Sequence, residues 1–170
     1  MYQRILVPVD GSATSNCGLE EAIRVAKLTH GHLRLFHVID DLSFALALGS
    51  DSGLSNDLLR SLRGEATRIL DAAQATARAA GIEAEVRLCD AFPGPVQDKV
   101  AAEARDWGAE LIVLGTHGRR GAKRLMLGSG AERILRVAPV PVLLVRAPDE
   151  EDAAAELLRA SASALAAAGE

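Results

Sequence analysis

Five glycines fall between Gly115 and Arg133, in the stretch "GTHGRRGAKRLMLGSGAER", together with Arg119, Arg120, Lys123 and Arg124 and no acid before Glu132. Glycine lets a ligand approach backbone N–H groups without a Cβ in the way, and a helix N-terminus behind those groups favours an anion. Gly115, Thr116 and Gly118 follow an apolar run, where close approach and positive φ angles are expected. Gly128, Ser129 and Gly130 are expected to open a helix, offering free amides beside a hydroxyl. With the cations, this is chemistry for holding a polyphosphate. Spacing puts no Glu or His beside a terminal phosphate, so no catalytic residue is assigned. His117 lies inside the stretch and could donate a ring N–H to phosphate or simply pack the loop. Plain alternatives exist for each feature. Ser129 and Glu132 form an S-x-x-E capping box, the cations could be a solvated loop, and the glycines could only turn the chain.

Five short apolar runs must position that stretch: "RILVPV" (Arg4–Val9), "LRLFHVI" (Leu33–Ile39), "EAEVRL" (Glu83–Leu88), "ELIVLG" (Glu110–Gly115) and "PVLLVR" (Pro141–Arg146). Helical spacing fills the gaps: Leu19, Ala22, Ile23 and Ala26; Leu58 through Ala73; Val96 through Trp107; and Ala131, Ile134 and Leu135. Strands alternating with helices imply βαβ units, and apolar runs without alternation imply strands covered on both faces. The expected fold is therefore α/β, a doubly wound parallel sheet. Ligands of such sheets sit beyond the strands' carboxyl ends, where the strand order reverses. If the first and fourth strands flank the reversal, "VDGSATS" and the glycine stretch meet at one crevice. Two segments lie outside the rhythm. "DDLSFALALGSDSGLS" (Asp40–Ser55) reads as a long connection, and the tail from Ala147 as a thinly apolar helix capped by Asp149.

Composition excludes several classes. The net charge of −4 is concentrated in the acidic tail, and aromatics are only 3%, so neither a basic nor a stacking nucleic-acid surface is expected. No apolar run reaches the roughly eighteen residues a spanning helix needs, and "MYQRILVPVDGS" lacks the pattern of a secretory signal, so no membrane insertion and a cytoplasmic location are expected. Cys17 and Cys89 form no metal or redox motif, His30, His32 and His37 lack partner ligands, and Trp107 is expected in the core. P-loop and dinucleotide fingerprints are missing.

The spacing Gly115-x2-Gly118-x9-Gly128-Ser129, with "ILVPVDGS", "AELIVLGTHGR" and "PVPVLLVR" in order, resembles the ATP-binding subgroup of the universal stress protein family. The resemblance covers residues 1–146 as a nucleotide-binding domain and leaves 147–170 as an acidic tail foreign to the family pattern. It implies a five-stranded sheet of order 3-2-1-4-5, adenine nucleotide alpha hydrolase-like, and a homodimer formed through Val142–Val145, with higher oligomers as an extension. It also implies adenine near Pro8, Val9, Asp10 and Val38. Ribose and phosphates would be wrapped by Gly115, Thr116, His117, Gly118, Arg119, Arg120, Gly121, Gly128, Ser129, Gly130 and Ala131. Asp10 would position Mg²⁺ through water, or the ribose. Gly130 and Ala131 lack a second hydroxyl found in some members. The implied ligand is ATP with Mg²⁺, or AMP or ADP. The implied role is regulatory, through dimerisation and an unknown protein partner. The alternatives are a slow ATPase or autokinase with Ser129 or Thr116 as acceptor, and an assembly module with vestigial nucleotide binding.

Overall fold

Strand β1 (Arg4–Pro8) points Ile5 and Val7 to one side of the sheet and Leu6 to the other, all without solvent contact, as a central strand between two helical layers requires. A computed structural model describes residues 1–40, 52–91, 93–116 and 128–146. The chain continues through α1 (Ala13–Thr29), β2 (His32–Val38), α2 (Ser52–Ala79), β3 (Ala84–Cys89), α3 (Val96–Trp107), β4 (Leu111–Gly115), α4 (Ser129–Val137) and β5 (Val142–Val145). All pairings are parallel and the strand order is β3-β2-β1-β4-β5, as the resemblance implies. This is the Rossmann-like, adenine nucleotide alpha hydrolase-like fold.

Alternation along the strands builds two cores. Ile5, Val7, Val9, Leu33, Leu35, Leu111 and Val113 pack under Leu19, Ala22 and Ile23 of α1 and Leu70, Ala73 and Ala77 of α2. Leu6, Phe36, Ile112 and Leu114 pack under Val100 and Ala104 of α3 and Ala131 and Ile134 of α4. Helix α2 starts at Ser52, inside the stretch expected as connection. Its first residues, Ser52, Gly53 and Ser55, are weak helix formers without an apolar stripe, so spacing alone begins the helix at Leu58. Residues 41–51 and the predicted tail helix lie outside the described residues.

The cover over β2 and β3 is partly ionic. Arg34 donates to Glu85 of β3 and, at 2.8 Å, to Glu103 of α3, while its guanidinium carbon stands 4.6 Å from the centre of the Trp107 ring. Burial opposes the Arg34 charge, but the bonds to the two carboxylates outweigh it and hold the group above its ordinary range. Trp107 is half-buried and packs against the core beneath α3 and α4, as expected, with a cation over its ring and the His32 ring T-shaped to it at 5.7 Å between centroids.

Candidate functional site

The reversal of strand order falls between β1 and β4, which places the crevice where the first and fourth loops meet. Proline opens it. Val9 N–H bonds to Phe36 O of β2 at 2.9 Å, whereas Arg4 O accepts from Glu110 N at 2.8 Å on the β4 side. Even-numbered residues of β1 therefore face β4, and Pro8 has no N–H to give it. The β1–β4 register accordingly stops at Leu6↔Ile112, although both strands run on, while β1–β2 pairing continues to Pro8↔Phe36. Removing one donor from the ladder ends the pairing of the two central strands before their carboxyl ends.

Beyond Pro8 the chain makes a locked turn. Gly11 takes φ +77°, a left-handed conformation in which a side chain would be strained. Ser12 N–H donates to Asp10 Oδ1 at 2.9 Å, Asp10 N–H to Ser15 Oγ at 3.2 Å, and Ser15 N–H to Ser12 Oγ at 3.1 Å, capping α1. One Asp10 oxygen is thus committed to the turn. Among the described residues no group of three His, Cys, Asp or Glu side chains could hold a metal ion.

Gly115 is a correction in mechanism. It lacks the positive φ expected of it and pairs in register with Val145. A Cβ there would stand 2.6 Å from the Thr14 carbonyl carbon, closer still to Thr14 O, and 3.0 Å from Ser15 N. A Cβ on Gly18 would likewise meet Gly115 N at 3.0 Å. Glycine is required at 115 because the first turn of α1 lies against the end of β4, so that the α1 N-terminus forms one wall of the crevice.

The far wall is α4. Thr116 N–H donates to Val145 O at 2.8 Å, and Gly128 N–H donates to Thr116 O at 2.7 Å, so both ends of segment 117–127 are held at one point. The capping box is not formed. Gly128 is the cap residue and makes no side-chain bond, Ser129 is the first helical residue and exposed, and the Glu132 carboxylate pairs with Arg136 at 2.8 Å. The amides of Ser129, Gly130 and Ala131 therefore open the helix with no capping side chain among the described residues. A Cβ on Gly130 would meet nothing within 4 Å. Unlike Gly115, Gly130 is required neither by packing nor by a positive φ, and space lies in front of it.

The structure places several of the other residues that the resemblance names. The Val9 side chain is in the α1–α2 core, its N–H is taken by Phe36, and its carbonyl accepts from His37 Nδ1 at 2.7 Å. The Ala131 side chain is likewise core, leaving its amide as the part that faces the helix end. Thr116 is 8% exposed, so of the two expected acceptor hydroxyls only Ser129 is open to solvent. Val38 is half-buried beneath the α3–α4 layer. His117, Gly118, Arg119, Arg120 and Gly121 lie outside the described residues. Sequence reasoning set His37 aside. A histidine interrupting the apolar run "LRLFHVI" at the carboxyl end of a strand was the available signal.

A groove of about 580 Å³ runs between α1 and α2, bounded by Val9, Gly11, Leu19, Glu20, Glu65 and Arg68, among others. Two carboxylates against one guanidinium make it a poor seat for a polyphosphate.

Five parallel strands in the order β3-β2-β1-β4-β5, with helices packed on both faces, define a doubly wound α/β domain. The sequence model of the Universal stress protein family matches residues 1–146, and the chain belongs to that family. Universal stress protein MJ0531 of Methanocaldococcus jannaschii is 30% identical over 152 residues, 89% of this chain and 86% of that protein. The solved structure of MJ0577 from the same organism matches with a TM-score of 0.76 at 25% identity, covering 88% of this chain and 99% of that one. A universal stress protein from Burkholderia pseudomallei matches at 33% identity with a TM-score of 0.65, covering 86% and 97%.

Proposed function

We propose that this stress protein holds an adenine nucleotide in the β1–β4 crevice and acts in the cytoplasm by dimerisation and partner binding rather than by turnover. The observation that carries this is the unsealed start of α4. Ser129, Gly130 and Ala131 present their amides at the helix start with no capping side chain among the described residues, and Gly128 and Ser129 keep the spacing from Gly115 by which the sequence resembles the ATP-binding subgroup. ATP with Mg²⁺ fits the basic stretch best, since Arg119, Arg120, Lys123 and Arg124 supply charge that AMP would use less fully. Two other universal stress proteins of this fold are described in complex with cAMP and with dAMP, at 24% and 23% identity. Those ligands belong in the test panel.

Dimerisation is supported by the β5 edge. Pro141 O and Val145 O face β4, so the backbone groups of Val142 and Leu144 face outward, on a half-exposed apolar strand at the sheet margin. The deciding experiment is to heat-release small molecules from freshly purified protein and identify them by mass spectrometry. A stoichiometric adenylate is expected. Protein that carries none, and that then binds none of ATP, ADP, AMP, cAMP or dAMP below millimolar concentration, would remove the proposal.

A further inference from the structure

The Val9 carbonyl lies one residue past β1, at the entry to the locked turn, and a side chain of β2 holds it. The regular ladder between the two strands ends at Pro8↔Phe36. Val9 N–H then reaches Phe36 O, and Val9 O lies 2.7 Å from Nδ1 of the next residue, His37. A carbonyl oxygen only accepts, so Nδ1 must carry a proton and donate it to Val9 O. The ring is 8% exposed, which removes water as a competitor for that bond. From Val9 the constraint passes to Asp10, whose N–H and Oδ1 are tied to Ser15 and Ser12. It passes next to Thr14, whose carbonyl lies against Gly115 at the end of β4. One imidazole thus joins β2, β1, the start of α1 and the end of β4, the parts that form one rim of the crevice.

We propose that His37 is the positioning residue of the crevice. Its Nδ1–H tautomer fixes the Val9–Ser15 turn, and through that turn it sets how tightly an adenine nucleotide is held. This rests on the function proposed above for its ligand, though its effect on the turn does not.

The test uses the full chain and three variants. His37→Asn puts an amide donor where Nδ1 stands, His37→Gln puts one where Nε2 stands, and His37→Leu removes both. Long-range proton–nitrogen spectra of the wild type should show the Nδ1–H tautomer. Hydrogen exchange at the Asp10, Ser12 and Ser15 amides should quicken about three- to tenfold in His37→Leu and His37→Gln, the range expected for losing one net hydrogen bond, and return toward wild type in His37→Asn. ATP dissociation constants should rise in the same order, by the same factor or less. Thermal melting of every variant separates loosening of the turn from global unfolding. An Nε2–H tautomer, or turn amides that exchange equally in wild type and His37→Leu, would overturn the proposal. So would an ATP affinity in His37→Leu equal to that of the wild type. A wild type that binds no adenylate would overturn the nucleotide function and its dependence on His37, while the exchange rates still decide whether His37 fixes the turn.

Discussion

Replacing Gly115 by alanine and, separately, Gly130 by alanine should divide the glycines of the crevice by the work each does. At Gly115 the added Cβ meets backbone atoms, the Thr14 carbonyl carbon at 2.6 Å and Ser15 N at 3.0 Å, which cannot rotate aside. Non-bonded carbon atoms sit about 3.5–4.0 Å apart, so the first turn of α1 must retreat by on the order of 1 Å. Such overpacking costs about 1–3 kcal/mol, which for a domain of this length is roughly 2–4 °C of Tm per kcal/mol. At Gly130 the Cβ enters open space within a helix, where alanine is favoured over glycine by up to about 1 kcal/mol. Gly115→Ala should therefore melt several degrees lower, while Gly130→Ala should melt at or above wild type yet bind ATP more weakly, because its methyl occupies the space in front of the amides. Differential scanning calorimetry and ATP titration on both variants read the two effects. A Gly115→Ala protein within about 0.5 kcal/mol of wild type would show that α1 is not seated on β4 as described. A Gly130→Ala protein with unchanged ATP affinity would show that no ligand uses that space.

Pro8→Ala restores a donor facing β4, so hydrogen exchange at the new amide should be slow and ATP affinity should fall as β1 and β4 close; rapid exchange there would count against proline as the opener. Val142→Pro removes an outward-facing edge N–H at the first residue of β5, where proline leaves the β4 ladder intact; sedimentation should show loss of the dimer with the fold retained. Burial, reinforced by the nearby Glu20 carboxylate, pushes the Cys17 thiol above its ordinary range against the weaker lowering by a backbone hydrogen bond and Arg24. Its thiolate is therefore scarce at neutral pH, and peptide-resolved alkylation by iodoacetamide should be slower for Cys17 in the native than in the unfolded protein and should quicken as pH rises. Glu103→Gln should cost about 1 kcal/mol by urea denaturation, since it leaves Arg34, 22% exposed, with Glu85 as its remaining carboxylate partner among the described residues.

The architecture was legible because each apolar run is short, rich in β-branched residues and followed by helical spacing, so strand edges fell within one or two residues of Arg4–Pro8 and Leu111–Gly115. The crevice was legible for a topological reason: the switch point needs only the strand order. What each residue does there was less so. Sequence cannot show that a glycine admits a helix as well as a ligand, and at Gly115 a Cβ would meet Thr14 and Ser15 of α1. It places Ser129 at the cap or one residue further on with equal ease, and a one-residue shift removes the capping box. The bond from His37 to Val9 joins residues 28 positions apart, and neither spacing nor composition encodes that. In the sequence Pro8 is one residue of "ILVPVDGS". Its effect emerges only when the parity of hydrogen bonds along β1 is known.

Titration of ATP into nitrogen-15-labelled protein, followed amide by amide, bears on all of this at once. Saturating shifts concentrated at Asp10, Thr116, Ser129, Gly130 and Ala131, with little change at Glu65, Arg68 and Thr76 in the α1–α2 groove, are expected. Shifts confined to that groove, or none for any adenylate up to about 1 mM, where binding free energy falls to roughly 4 kcal/mol, would end the case for a nucleotide at the head of α4.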